Sequence, residues 1–146
     1  MLLSMRKTPL RKGTFDEFVR LSKEGVAPFY ILMGTRPLGY WQIVPGPGES
    51  ELQYDGLIMI TEYVDMEHWA ATRPPTSPAF RPDPRSAPYN WDCPAGQKCL
   101  AYMAERAKLV LRKSEGGPPS EHYFLKPGYS SRGLPWVFRD QGWIEG

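Results

Sequence analysis

The sequence has little cysteine and histidine, the residues that form disulfides and most zinc sites. It contains two cysteines, Cys93 and Cys99, and two histidines, His68 and His122, in 146 residues. Two cysteines do not make a disulfide framework, and their C-x5-C spacing lies outside the ranges that zinc and redox sites favour. We therefore expect reduced thiols and no metal site. Haem ligation by either histidine stays open, but nothing else in the sequence supports it.

Strong charge of one sign and long apolar runs are also missing. The net charge is +2, and the basic residues are dispersed, with the densest group within residues 6–12. This pattern does not predict nucleic-acid binding, which needs a clustered basic face. No apolar run approaches the ~20 residues of a membrane span, and residues 1–5 are too short for a signal-peptide core. We expect a cytoplasmic protein that binds neither nucleic acid nor membrane.

Sequence motifs for cofactors and for nucleophilic serines are absent as well. Neither G-x-G-x-x-G nor G-x4-G-K-[ST] occurs, and there is no G-x-S-x-G nucleophile elbow. The glycines and prolines of residues 45–48 are explained as a turn. The sequence therefore predicts no cofactor.

Proline, in contrast, is abundant and unevenly placed. Of 16 prolines, seven fall within residues 74–94, a density that excludes a helix or a central strand. The same segment contains Phe80, Tyr89 and Trp91, which a solvated linker would not require. We expect much of this insert to pack on the surface as a cover over a cavity, with disorder of part of it as the alternative.

Apolar periodicity and turn residues predict the elements of the first half. The segment from Thr14 to Glu17 matches a capping box, which predicts a helix start. The helical period continues to Gly34, with a kink or a second segment at Pro28, which lacks an amide donor. Strands are predicted over residues 2–10, 38–44 and 52–63.

Two helices and a strand are predicted in the second half. Asp65 suits the N-cap of a short helix over residues 66–73. A long amphipathic helix follows over residues 95–114, and the last strand spans residues 121–125. The irregular tail, residues 128–146, is rich in aromatic side chains, so we expect it to form a docked C-terminal arm.

The order of these elements predicts an α+β fold of the ferredoxin-like, split βαβ type. It has a four-stranded antiparallel sheet with helices on one face, in a domain over residues 1–127. Residues 57–60 are apolar on both faces of their strand, so the face without helices needs a partner. Two such sheets pressed together would form a homodimeric barrel.

The chain resembles NIPSNAP-like members of the dimeric α+β barrel superfamily. The likeness begins in residues 6–18, where a strand leads through a basic and glycine-containing turn into an acidic and aromatic helix start. It continues through residues 26–28, 38–41, 57–63 and 68–69, the final long helix, and residues 124–127. The resemblance implies a dimeric barrel with a ligand cavity between the helices and the inner sheet face. The superfamily includes cofactor-free oxygenases, polyketide cyclases, haem enzymes and stress proteins, so the fold names no single reaction.

Two histidines are the candidate catalytic groups within such a cavity. His122 would be a near-neutral acid or base if its side of the last strand faces the helices; otherwise it is an edge histidine in solvent. His68, with Glu62 and Arg73 nearby in sequence, would remove a proton from an acidic or enolic substrate while Arg73 holds the negative charge. An exposed position on the short helix is the alternative for His68.

Aromatic side chains are the candidate walls of the cavity, with plain packing as the alternative. These predicted substrate-binding residues are Tyr40, Trp41, Trp69, Tyr63, Phe124 and Trp91. We expect a biosynthetic or degradative enzyme acting on an apolar or aromatic small molecule. Its cofactor-independent chemistry would be cyclisation, isomerisation, dehydration or oxygenation. The alternative is a non-catalytic protein that binds a ligand or another protein.

Overall fold

Four antiparallel strands form one sheet. The computed structural model describes residues 1–126; the predicted C-terminal arm lies outside them. The strands are Leu2–Leu10 (β1), Arg36–Ile43 (β2), Asp55–Tyr63 (β3) and Glu121–Leu125 (β4), and their order in the sheet is β2-β3-β1-β4. The central strand β1 pairs with β3 on one edge and with β4 on the other. The predicted fold class, a four-stranded antiparallel sheet with helices on one face, is confirmed.

The first helical region is divided into three parts. An α-helix, Phe15–Leu21 (α1), leads through a π-helical turn, Ser22–Val26, into a second α-helix, Ala27–Leu32 (α2). Pro28 lies in the first turn of α2, directly after the π-helical turn, so the regular α-helix is interrupted where the proline lacks an N–H donor. Gly34 follows α2 with a φ of 83°, which suits glycine at a helix end. The predicted break and stop are both confirmed.

The predicted capping box at the start of α1 is wrong. The Thr14 side chain makes no capping hydrogen bond, and the Glu17 carboxylate instead pairs with Arg20, 2.6 Å away. A carboxylate from β3 takes this place, since the Phe15 N–H donates to Asp55 Oδ2 at 3.0 Å. Its negative charge lies at the positive end of the α1 dipole. The N-terminus of α1 is thus capped by a residue distant in the sequence rather than by Thr14.

The second half contains two further α-helices. The short helix Met66–Ala71 (α3) begins as predicted, with Asp65 Oδ1 accepting from the His68 N–H at 2.9 Å. The long helix Pro94–Ala107 (α4) is shorter than predicted. After Ala107 the backbone bonds to β1, with the Leu111 N–H donating to the Pro9 carbonyl at 3.0 Å. These hydrogen bonds compete with the helical ones, so the helix ends. A short 3₁₀ turn, Lys113–Glu115, then precedes β4.

The proline-rich insert has no regular secondary structure before α4, as predicted, and it packs tightly. Trp91 is buried, and its ring lies edge-on to Phe29 of α2, with ring centroids 4.7 Å apart. Farther along the surface, Arg85 Nη1 lies 2.6 Å from the Asp65 carboxylate before α3. The insert is therefore held against α2 and the start of α3.

The opposite face of the sheet is apolar and is not covered by the helices. Alternation along the strands places Leu3, Met5, Ile58 and Ile60 on this face, and all four are only partly buried. On β4, Tyr123 shares the face and is 45% exposed. We refer to this surface as the outer face.

Candidate functional site

A cavity of about 380 Å³ lies between the helices and the inner face of the sheet. Strand alternation turns Ser4, Arg6 and Thr8 of β1 to this face, opposite Leu3 and Met5. The side chains from other elements that matter most for its chemistry are Tyr30, Tyr40, Tyr63, Arg73 and Arg106.

Two of the three arginines that line the cavity are held by neutral groups. Arg73 Nη2 donates to the Tyr63 hydroxyl at 3.0 Å, and the guanidinium lies 4.7 Å from the centroid of the Trp69 ring. Arg106 Nη1 donates to Ser22 Oγ at 2.9 Å, from α4 to the π-helical turn. Each guanidinium is therefore oriented without losing its charge to a carboxylate.

The side chain of the third arginine, Arg6, has no hydrogen-bond or ion-pair partner among the residues that the structure describes. Burial, followed by the positive charge of Arg73, lowers the pKa of Arg6, although an arginine stays protonated at neutral pH. No aspartate or glutamate of the described segment lines the cavity. The site therefore concentrates positive charge that nothing in this part of the chain neutralises.

The tyrosines add neutral hydrogen-bond donors to this charge. Burial raises the pKa of Tyr30 to about 12 and also raises the pKa of Tyr40. Both hydroxyls therefore keep their protons at neutral pH and can donate to an anion. Guanidinium groups and hydroxyls that converge on a partly apolar cavity are suited to a ligand with a negatively charged group.

A serine and a histidine meet at the edge of the cavity. Ser4 Oγ, on the cavity wall, lies 2.7 Å from His122 Nε2 on the neighbouring strand β4. His122 is also the cross-strand partner of Arg6. Burial, then the charges of Arg6 and Arg73, lower the pKa of His122 to about 4. The imidazole is therefore neutral at pH 7 and has a nitrogen available to accept a proton.

Six of the predicted site residues lie in or beside the cavity. Tyr40, Tyr63 and Arg73 line it. His122, Trp69 and Phe124 form an aromatic group next to it; the Trp69 and Phe124 ring centroids are 4.8 Å apart, and those of His122 and Phe124 are 4.5 Å apart. His122 thus faces the helices, as its predicted role requires, but its pKa of about 4 is well below the near-neutral value that we predicted for it.

The remaining predicted site residues lie elsewhere. His68 is buried: its Nδ1 accepts from the Val64 N–H at 3.0 Å, and its Nε2 lies 2.7 Å from the Met33 carbonyl oxygen. A neutral ring satisfies both bonds, so His68 connects α3 to the end of α2 and has no ring nitrogen left for a substrate.

The other three belong to different surfaces. Glu62 and Trp41 alternate with the cavity-lining Tyr63 and Tyr40, so they lie on the outer face. Trp91 packs in the core next to Tyr30, behind the cavity wall. Among residues 1–126, no side chain of the insert 74–94 lines the cavity.

Sequence reasoning missed the groups that define the site: Arg6, Arg106 and the Ser4 hydroxyl. One signal was available, because polar residues at 4, 6 and 8 alternate with apolar residues at 3 and 5 along β1. Such alternation normally indicates a solvent-facing polar side. Here the polar side faces the helices, which the sequence alone did not reveal.

Among residues 1–126, neither a metal-binding cluster nor a helix that could span a membrane accompanies this site. Within the described part of the chain, no three acidic, cysteine or histidine side chains gather in a way that could hold a metal ion. Across the same residues, no helix has the length and apolarity to span a membrane.

Comparison with known proteins establishes the fold. No family profile matches the sequence, and no curated protein matches it. A NIPSNAP domain protein from Burkholderia xenovorans is 18% identical, with a TM-score of 0.54 over 88% of this chain and 95% of that one. A protein from Agrobacterium tumefaciens is 13% identical, with a TM-score of 0.56 over 88% and 94% of the two chains. The chain therefore has the fold of NIPSNAP domain proteins, as its sequence resemblance implied.

Proposed function

We propose that this chain binds a small organic anion with an aromatic or apolar body in the cavity between its sheet and its helices. The observation that carries the proposal is the convergence of Arg6, Arg73 and Arg106 on a space that no described carboxylate lines. Three such charges repel one another, and a bound anion would relieve that repulsion. Bonds from arginine to a carboxylate or phosphate are also among the strongest hydrogen bonds in proteins.

The rest of the wall suits the apolar body of such a ligand. Phe18, Val26, Met59 and Met103 line the same cavity. Its volume of about 380 Å³ falls in the range of ~300–1,000 Å³ that is usual for small-molecule sites. An aromatic carboxylate or an aryl phosphate would therefore place its charge on the guanidinium groups and its ring against these side chains.

Calorimetry with matched probes tests this proposal. Benzoate and phenyl phosphate should bind, whereas benzamide, which has the shape of benzoate without its charge, should bind at least about tenfold more weakly. Arg6→Met and Arg106→Met should each weaken phenyl phosphate binding by a similar factor. Arg20→Met is the control, because Arg20 lies on the exposed face of α1 and pairs with Glu17. Equal affinity for benzamide and benzoate would contradict the proposal.

Cofactor-independent acid/base catalysis is the second candidate function, and His122 supports it. Its neutral ring contacts a hydroxyl on the cavity wall, so it can accept a proton taken from a bound anion. Such a step belongs to cyclisation, isomerisation, dehydration or cofactor-free oxygenation of a polyketide-like substrate. The alternative is binding without turnover.

The enolisation of phenylpyruvate distinguishes these two candidates, because this aromatic anion has an acidic C–H. Catalysis would speed the exchange of that hydrogen with deuterated solvent, measured by NMR, and His122→Gln would remove the effect. Binding of phenylpyruvate without faster exchange would favour the non-catalytic alternative.

We also propose that a second copy of the chain covers the outer face, giving a homodimer. The partly buried Leu3, Met5, Ile58 and Ile60 form a continuous apolar area there, extended by Tyr123. An apolar sheet face of this kind in a soluble protein generally marks an interface. A twofold pair would bury the same residues from both sheets.

A further inference from the structure

We propose that Ser4 is a nucleophile, activated by His122, that cleaves esters whose acyl part carries a negative charge. The supporting geometry is the 2.7 Å contact between Ser4 Oγ and His122 Nε2 at the wall of the arginine cavity. This inference rests on the proposed anion binding, because the guanidinium groups of Arg73 and Arg106 would hold the charged end of the ester.

The local structure favours this pair. Ser4 is 5% exposed and lies in the central strand, so the position of its side chain is set by pairing on both sides. His122 lies on the adjacent strand, within a group of aromatic rings that includes Trp69 and Phe124. A serine hydroxyl becomes nucleophilic when a neutral imidazole accepts its proton.

The reaction follows from these positions. Ser4 Oγ attacks the carbonyl carbon of the ester while its proton passes to His122 Nε2. The ester C–O bond then breaks, and His122 returns the proton to the departing alcohol, which leaves an acyl group on Ser4. Water attacks the acyl carbon and gives a proton to His122. The bond between that carbon and Ser4 Oγ then breaks, and His122 returns the proton to Oγ, which releases the carboxylic acid and restores the Ser4 hydroxyl.

Arg6 is placed to stabilise the negative charge that develops on the carbonyl oxygen. It follows Ser4 by two residues on the same strand and therefore projects to the same face. Its guanidinium makes no bond to any other described side chain. Donors aimed at a developing oxyanion are usually a large contributor to such reactions.

The first test is covalent labelling with a fluorophosphonate, followed by peptide mass spectrometry. The adduct should be on Ser4 in the full chain, and it should form about 100-fold more slowly in His122→Gln, since general-base catalysis is typically worth that much or more. Ser50→Ala, which removes an exposed loop serine, should label like the unmodified protein. No adduct on Ser4, or an equal rate in His122→Gln, would overturn the proposal.

The second test uses two p-nitrophenyl esters that differ in charge. Mono-p-nitrophenyl glutarate should be cleaved about tenfold or more faster than its neutral methyl ester. Ser4→Ala should lose this activity and still bind phenyl phosphate, while Ser4→Cys should become acylated. Anion binding without acylation of Ser4 would defeat this inference alone. Acylation of Ser4 with no preference for the charged ester would instead contradict the proposed anion site.

Discussion

Replacing Arg6 by methionine should stabilise the protein and weaken anion binding at the same time. Arg6 projects into the cavity without a partner among the described residues, and burial and the charge of Arg73 both oppose its positive charge. Methionine keeps an unbranched stem of similar length and removes the charge. If Arg6 served only to pack the cavity wall, Arg6→Met would instead lower the free energy of unfolding.

The cavity size sets the magnitude of this effect. A volume of about 380 Å³ corresponds to a sphere about 9 Å across, and two unit charges at that separation repel by about 2 kcal/mol at an effective dielectric constant of ~20. Arg6 faces two such charges, those of Arg73 and Arg106. Because the site is partly open to solvent and screened by salt, we expect a net gain of about 1–2 kcal/mol.

Urea unfolding and calorimetry on the same samples measure both effects. Arg6→Met should raise the free energy of unfolding by the amount above and lower the affinity for phenyl phosphate by about tenfold or more. Arg20→Met, which breaks exposed pairs with Glu17 and Glu24, should lose a little stability and keep the affinity. A loss of stability in Arg6→Met, with unchanged binding, would refute the reasoning.

Three other predictions concern pH, packing and assembly. The pKa of His122 is about 4 when folded and about 6.5 when unfolded, so the unfolded chain takes up the proton first. As the pH drops from 7 to 4.5, the free energy of unfolding should therefore fall by about 1 kcal/mol, a value reduced for the partial exposure of His122. Urea unfolding of His122→Gln should lack this part of the pH dependence. Trp91→Ala should lower the free energy of unfolding by about 3–5 kcal/mol, because it empties a buried site against Phe29; a loss below ~1 kcal/mol would show that the insert is not part of the core. Ile60→Lys should convert the proposed dimer to a folded monomer in sedimentation, whereas Ile31→Lys, on an exposed position of α2, should not; a monomeric unmodified protein at micromolar concentration would refute the dimer.

The sequence pattern predicted helix starts, breaks and ends correctly where these depend on residues close together in the chain. The Asp65 cap of α3, the break at Pro28 and the stop at Gly34 depend on hydrogen bonds or backbone angles within a few residues. The pattern predicted helix ends wrongly where a residue distant in the sequence makes the hydrogen bond at that end. Asp55 caps α1 from 40 residues away, and Pro9 of β1 bonds the chain after α4.

The residues of the candidate site also fall into those that the sequence predicted correctly and those whose role depends on a distant partner. Tyr40, Tyr63 and Arg73 were predicted from alternation and from position near strand and helix ends, and they line the cavity. His68 has the residue type of a catalyst, but the Met33 carbonyl, 35 residues earlier, engages its ring. The sequence shows which chemical groups a side chain carries, but it does not show which distant group forms a hydrogen bond with them.

The sequence by itself determined which residues of β1 share a face, because alternation depends only on the pleat of a strand. Only the tertiary structure decided that the face with Ser4 and Arg6 lies under the helices, and that Arg73 and Arg106 meet it there. The physical reason is that burying a charged group costs free energy unless hydrogen bonds or other charges from the surrounding elements offset that cost. The cavity wall draws on three strands and three helices at once, which no single stretch of sequence contains.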